Sequence, residues 1–434
     1  MKQEKHRVAP SSPSVETEKQ ALSPRAHGNL YASYGGQHEA QYPGSIMTLS
    51  GLSPSDAWQS SIRDVAPKSS KVPLRVIHVT LAMIPAGIDR WLTALIRYAD
   101  PNRIKFLRCV VTTDLVDRNQ LSRVGVPVEI GGRDSIRRAS QDCDILLISD
   151  PGDDPDWVDE IRPGQGVFVA HGDGSWTRKR MEKLAPAIDH VIAVSHQVQE
   201  SICDGFSSTV ITNGVDPIHL TRSRPLDEFR AGLGFQPSDF VVGFVGRFSP
   251  EKNPSAVIEA LAGLPPHFKA LMVGFGPLRS ELIELANATI PGRFVFARGE
   301  EYLGDYYGAM NAFCMPSYTE GYGLAIMEAM MCGKPPIVSR VGFVKDAIID
   351  RVNGLVVAGD ARSIRDAAIL LDTHREWAAG VGFQAAAYAD RHGHALTMAR
   401  RYAETLESLW AARSLKPERS PSTNGKHKGK SIVC

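Results

Sequence analysis

Short β-branched runs alternate with helix-spaced apolar residues in two successive series along this chain. The first series runs through residues 74–80, 104–111, 126–130, 144–149, 167–170, 190–194 and 209–212. Pro85-Ala86-Gly87 marks a turn in its first gap, and Ile88, Trp91, Leu92, Leu95 and Ile96 then fall at helical spacing. The second series runs through 240–246, 268–273, 294–296, 312–315, 336–339 and 355–357. Strands alternating with helices predict parallel sheets covered by helices. The stretch 217–237 between the series is poor in apolar residues and reads as holding the linker. The pattern therefore predicts an α/β protein of two doubly wound domains. Such sheets bind ligands at the carboxyl ends of their strands, so the site is expected in the cleft between the domains.

Composition fills in the edges of this picture. The chain has 434 residues, 43% of them hydrophobic, enough for two ordinary cores. Residues 1–72 and 414–434 are rich in Ser, Pro, Gly and charge, and read as disordered tails. A formal net charge of +1 gives no electrostatic reason to expect nucleic acid as a partner. Six cysteines are scattered without a Cys-x-x-Cys pair, which offers no zinc site and fits a reducing compartment. Cys109 and Cys314 lie in apolar runs and read as buried thiols. No signal-peptide core opens the chain, and no apolar run approaches the roughly 18 residues of a membrane span. The expected location is cytoplasmic, with peripheral contact at the inner membrane face as the only membrane association.

The chemistry concentrates at Glu320-Gly-Tyr-Gly-Leu-Ala-Ile-Met-Glu328. A carboxylate precedes a Gly-rich turn that opens an apolar helix, and a second carboxylate follows inside that helix. Helix N-termini attract phosphates, and Gly321 and Gly323 permit close approach to the backbone. The two glutamates would repel phosphate but accept bonds from hydroxyl groups, so they are expected to face sugar rings. This suits a sugar nucleotide, with diphosphate at the helix start around Gly323 and Leu324, and one glutamate on each flanking sugar.

Other strand ends add weaker signals. Arg247 and Lys252 follow the strand 240–246, and two cations there suit a diphosphate, although Glu251 could neutralise one of them. Gly274-Phe-Gly276 resembles half of a dinucleotide fingerprint, but Arg279 replaces the third glycine, so it reads as a tight turn. His171, in His-Gly-Asp-Gly174, could hydrogen-bond a sugar hydroxyl. Asn213-Gly-Val-Asp216 is a turn signal, and its Asn213 is a candidate substrate contact. The Asp-x-Asp pairs at 142–144 and 154–156 do not end strands, and no metal is expected. Two basic segments, 133–138 and 176–183, read as solvated faces, with anionic lipid or an acidic acceptor as the alternative.

These motifs, in this order, resemble the family-4 retaining glycosyltransferases of the GT-B fold over roughly residues 74–412. The resemblance is specific at Gly246-Arg-Phe-Ser-Pro-Glu-Lys252, Val273-Gly-Phe-Gly-Pro277, Met315-Pro-Ser317, the Glu320–Glu328 block and Asn353-Gly354. It is looser at Gly87-Ile-Asp-Arg90, His171-Gly172, Ala193-Val-Ser195 and Asn213-Gly-Val-Asp216. It implies an acceptor-binding domain at 73–222, a linker at 223–237, a nucleotide-sugar-binding domain at 238–394 and a helix at 395–413 crossing back to the first domain. Arg247 and Lys252 look like the grip on the donor diphosphate, and Glu328 like the carboxylate on the ribose. Glu320 looks like the contact to the transferred sugar, with His171 beside that sugar and Gly87 in a loop close to the donor. Where Ala86 stands, the family commonly has a second glycine.

The implied reaction moves a sugar from a UDP- or GDP-linked donor to a hydroxyl acceptor, with retention and without metal or other cofactor. The acceptor, whether saccharide, lipid-linked or small molecule, is not named by these residues. Alternatives on the same fold are a sugar-nucleotide epimerase, a phosphorylase-like enzyme or a non-catalytic nucleotide-sugar binder. A nicotinamide oxidoreductase is disfavoured by the absent third glycine and ribose-binding acid.

Overall fold

A computed structural model describes residues 72–84, 87–299 and 302–414. The two tails, apart from Val72 and Ser414, and the Pro85-Ala86 turn lie outside the described residues. Thirteen strands are described, and each pairs in parallel with its neighbours. The first sheet holds β1 (Leu74–Thr80), β2 (Ile104–Val111), β3 (Val128–Ile130), β4 (Ile145–Asp150), β5 (Gly166–Ala170), β6 (Ile188–Ala193) and β7 (Ser208–Val210). Its order is β3-β2-β1-β4-β5-β6-β7. The second sheet holds β8 (Phe240–Val245), β9 (Phe268–Val273), β10 (Phe294–Ala297), β11 (Ala312–Met315), β12 (Pro336–Ser339) and β13 (Leu355–Val357). Its order is β10-β9-β8-β11-β12-β13.

Both sheets reverse direction of growth at one point, between β1 and β4 in the first and between β8 and β11 in the second. Those crevices, at the carboxyl ends of the strands, are where ligands of doubly wound sheets sit. The central strands are buried from end to end, as β8 shows at every position. Helices on both faces explain why such strands read as unbroken apolar runs and not as alternating ones.

Outside the strands, the structure departs from the sequence pattern in two places. The 223–237 segment expected as a linker holds a helix, Leu226–Gly232. Its buried Phe229 meets Tyr306 edge-on at 5.2 Å between ring centroids. One apolar anchor in so short a helix is too little to register as a period. The 18-residue helix Arg375–His392 carries no strong amphipathic signal, because its buried face is built of Ala378, Val381, Gly382, Ala385 and Ala389.

The final helix, Ala395–Ser414, packs on the first-domain helix Gly87–Tyr98. Arg413 donates to the carbonyls of Pro163 and Gly164, Arg401 to that of Val210, and Arg103 pairs with Glu407 at 2.6 Å. Among the described residues, no helix is long and apolar enough to cross a membrane.

Candidate active site

The loop after β8 carries Arg247 and Lys252, and the loop after β11 carries Glu320. Gly274 and Gly276 hold the first of these loops in place. A Cβ on Gly274 would lie 1.9 Å from the Gly246 carbonyl oxygen, and one on Gly276 would lie 2.4 Å from that of Phe248. Their φ values of 146° and 153° lie in the region that favours glycine. The Gly-Phe-Gly turn thus supports the β8 loop by backbone contact.

Lys252 Nζ donates to Glu320 Oε2 at 2.6 Å, and Ser317 Oγ donates to Glu320 Oε1 at 2.8 Å. Glu320 is 6% exposed. Glu251 accepts from Ser249 Oγ at 2.5 Å, and the charges of Lys252 and Arg247 both favour its ionised form, although neither makes an ion pair with it among the described residues. The carboxylate that reaches Lys252 is Glu320, because the β8 and β11 loops lie side by side at the switch point. Arg247 is exposed and has no carboxylate within ion-pair distance among the described residues.

Helix Leu324–Met331 begins at Gly323, whose φ is 99°. Its first N–H groups precede the intrahelical bonds and are open to an anion. Glu328, on the same helix, is 2% exposed. Tyr307 Oη donates to its Oε2 at 2.7 Å, and burial beside that carboxylate holds the phenol well above its ordinary pKa. Arg90 Nη1, from the first domain, reaches Oε1 at 2.9 Å and Oε2 at 3.2 Å. Gly87 opens the helix that carries Arg90, and a Cβ there would sit 3.7 Å from Leu324 Cδ1. The two helix starts therefore face each other across the cleft.

The Glu320–Gly323 loop is stitched to the first domain. A Cβ on Gly321 would fall 1.8 Å from the carbonyl oxygen of His171. Ser195 Oγ donates to the Gly321 carbonyl at 2.7 Å, and Thr319 Oγ1 donates to Asp173 at 2.9 Å. Gln197 donates to Asp173 and accepts from the Gly342 N–H at 2.9 Å. Tyr322 stacks on Phe343 at 4.6 Å beneath the loop.

His171 lies at this seam, its ring edge-on to Trp91 at 4.6 Å. Its Nε2 is buried without a hydrogen-bond partner among the described residues, and burial lowers the imidazole to about 3. It is therefore a neutral hydrogen-bonding group and not a cation. Asn213 is buried, and its Oδ1 has no hydrogen-bond partner among the described residues. The next residues run beside the start of the last helix, where Val215 exchanges backbone bonds with Gly393 and Ala395. Asp216 is held by Arg97 and Tyr98.

The remaining charged motifs have local partners. Asp142 pairs with Arg108 and Asp144 with Arg75, so those carboxylates do not converge. In the basic segments, Arg133, Arg137 and Arg138 meet Asp159, Glu160, Asp134 and Glu129. Arg178, Arg180 and Lys183 meet Glu182, Asp150, Asp153 and Asp154. The structure thus brings Gly87, His171, Lys252, Glu320, Gly323, Leu324 and Glu328 to one cleft. Sequence reasoning gave no role to Arg90, Tyr307, Asp173 or Gln197, whose partners are remote in the chain.

Two doubly wound domains facing across such a cleft define the GT-B class of fold. Residues 226–374 match the family described as glycosyl transferases group 1. A D-inositol 3-phosphate glycosyltransferase of Actinosynnema mirum is 35% identical over 279 residues, which cover 57% of this chain and 63% of that one. The Rhodococcus erythropolis protein of the same name is 38% identical over 168 residues, 35% of this chain and 37% of that one. The chain thus spans less than two thirds of the length of these relatives. Anabaena Alr3699/HepE, solved in complex with UDP and glucose, superimposes with a TM-score of 0.68 at 21% identity. That match covers 77% of this chain and 100% of HepE. WaaG, a glycosyltransferase involved in lipopolysaccharide biosynthesis, gives 0.59 at 15% identity, covering 76% of this chain and 99% of WaaG.

Proposed function

We propose that the protein transfers a sugar from a nucleotide-sugar donor to a hydroxyl acceptor, with retention at the anomeric carbon and without a metal ion. The observation that carries this reading is the Lys252–Glu320 pair beside the Gly323 helix start at the second-domain switch point. In the reaction, the bond from the anomeric carbon to the diphosphate oxygen breaks. A bond to the acceptor oxygen forms on the same face. Negative charge collects on the departing diphosphate, where Arg247, Lys252 and the first N–H groups of helix Leu324–Met331 are preorganised for it. Fixed cations and a helix start supply what a divalent metal supplies elsewhere. As the diphosphate draws Lys252 toward itself, Glu320 is released to face the positive charge developing on the sugar. Neutral His171 donates to or accepts from a sugar hydroxyl. The acceptor proton passes to the departing phosphate oxygen, so no separate base is needed.

HepE has been solved with UDP-glucose, which makes uridine donors the first to test, followed by guanosine donors. The acceptor belongs to the first-domain side of the cleft, and the D-inositol 3-phosphate of the relatives is one candidate. The test is a thermal-shift panel of nucleoside diphosphates and sugar nucleotides, with and without Mg²⁺, on wild type and Lys252→Ala. Ligand at a hundredfold excess over Kd adds about 2.7 kcal/mol to stability. A selective shift that is independent of Mg²⁺ and absent from the variant supports the reading. No shift from any nucleotide overturns it. The anomeric configuration of the product, read by NMR, tests retention separately.

A further inference from the structure

We infer that Arg90 is a positioning residue for the donor ribose, supplied by the opposite domain and acting through Glu328. This inference rests on the donor reading of the site. Glu328 is almost fully buried, and a buried carboxylate needs a cation and hydrogen bonds to remain there. In the second domain Tyr307 contributes one hydroxyl, at 2.7 Å. The cation comes from Arg90, in the first turn of helix Gly87–Tyr98, whose Nη1 contacts both carboxylate oxygens.

The arrangement leaves a defined vacancy in bonding capacity. An ionised carboxylate offers about four acceptor directions. Arg90 takes one on each oxygen, and Tyr307 takes a second on Oε2. The remaining direction is on Oε1, where one ribose hydroxyl can donate. Arg90 fixes the carboxylate plane so that this direction is presented to the cleft. The Arg90 side chain is 41% exposed, so it lies at the surface of the cleft and not in the core. Because the contact crosses between domains, the ribose subsite is complete only when the first domain is seated on the second. Donor recognition is thereby coupled to the domain that carries His171.

The test is a thermodynamic cycle between Arg90 and the ribose hydroxyls. Calorimetry would compare UDP and GDP with their 2′,3′-dideoxy analogues on wild type, Arg90→Ala and Arg90→Lys. Wild type is expected to prefer one ribonucleotide over its dideoxy form by about tenfold, the effect of a hydrogen bond to a charged group. Arg90→Ala should erase that preference while dideoxy binding stays near the wild-type value, and Arg90→Lys should restore part of it. In turnover, Arg90→Ala should raise the donor KM more than it lowers kcat. Equal weakening of both nucleotides, or an unchanged preference, would overturn the inference and leave the donor reading standing. A wild type that binds neither ribonucleotide would overturn the donor reading itself.

Discussion

Lys252 Nζ and Glu320 Oε2 lie 2.6 Å apart, so the cation assigned to the diphosphate and the carboxylate assigned to the sugar occupy each other. This gives two substitutions opposite signs in binding. Glu320→Ala frees Lys252, so a nucleoside diphosphate should bind at least as tightly as to wild type. Transfer should nevertheless fall by about 10²–10³, the usual effect of losing one transition-state contact. Lys252→Ala should weaken nucleoside diphosphate binding by about ten- to a hundredfold. It should also cost about 1–3 kcal/mol of stability, because Glu320 is left with Ser317 as its hydrogen-bond partner. Calorimetric Kd values beside single-turnover rates check both. Glu320→Ala protein that loses nucleotide affinity would contradict the pairing argument.

Gly321 is fixed by a contact between domains and not by its own backbone angle. Its missing Cβ leaves the room that the His171 carbonyl oxygen fills, 1.8 Å from where that atom would stand. Gly321→Ala must lift the loop and break the Ser195 bond to the Gly321 carbonyl. The expected loss is about 1–3 kcal/mol, the range for overpacking. Activity should fall by up to about a hundredfold, since a misplacement of about 1 Å can have that effect. Gly380→Ala is the control, because a Cβ there meets nothing within 4 Å. A helical position of this kind should gain up to about 1 kcal/mol. Parallel melting curves and initial rates separate the two sites.

Burial lowers both His78 and His171 to about 3, and it also lowers His190. An unfolded chain takes up these protons near pH 6.5, whereas the native protein does not. Stability is therefore fully present above about pH 6.5 and falls as the pH drops toward 3. The slope approaches about 1.4 kcal/mol per pH unit for each histidine held neutral. His78→Gln, which keeps a polar group near Ser149, should flatten the denaturation profile between about pH 6 and 4. The pH–rate profile should show no ionisation of His171 near 6.5. A His171-dependent step in that region would contradict its neutral state.

The two sheets were legible because parallel strands buried on both faces leave unbroken runs such as Phe240–Val245, and local spacing is enough to find them. The second-domain half of the site was legible for a similar reason. Glu320, Gly323, Leu324 and Glu328 lie on one loop and the helix it opens, so their grouping can be read from one short segment. Helix Leu226–Gly232 was not legible, since its single buried anchor finds its partner, Tyr306, far along the chain. The first-domain half was hidden for the same reason. Arg90 and Glu328 are 238 residues apart, and Ser195 meets Gly321 across 126. Nothing in the local pattern of either arginine or serine marks a side chain that crosses a cleft.

Arg247 and Lys252 were read as one pair of cations, yet their surroundings differ enough to separate them experimentally. Lys252 is largely enclosed and bound to Glu320, whereas Arg247 is exposed and outside ion-pair reach of any described carboxylate. Removing an exposed arginine that makes no ion pair among the described residues should leave folding stability within about 0.5 kcal/mol of wild type. Its guanidinium is nevertheless free to take two phosphate oxygens at once, a geometry lysine cannot reproduce. Arg247→Ala should therefore weaken nucleoside diphosphate binding without moving the melting temperature, and Arg247→Lys should recover only part of the affinity. Raising the salt concentration should diminish the Arg247 contribution more than that of Lys252, because exposed charges are screened more strongly. Titration calorimetry at two ionic strengths, on both alanine variants, decides the matter. If the two variants lose affinity in equal proportion at both salt levels, the distinction between an enclosed and an exposed grip on the donor fails.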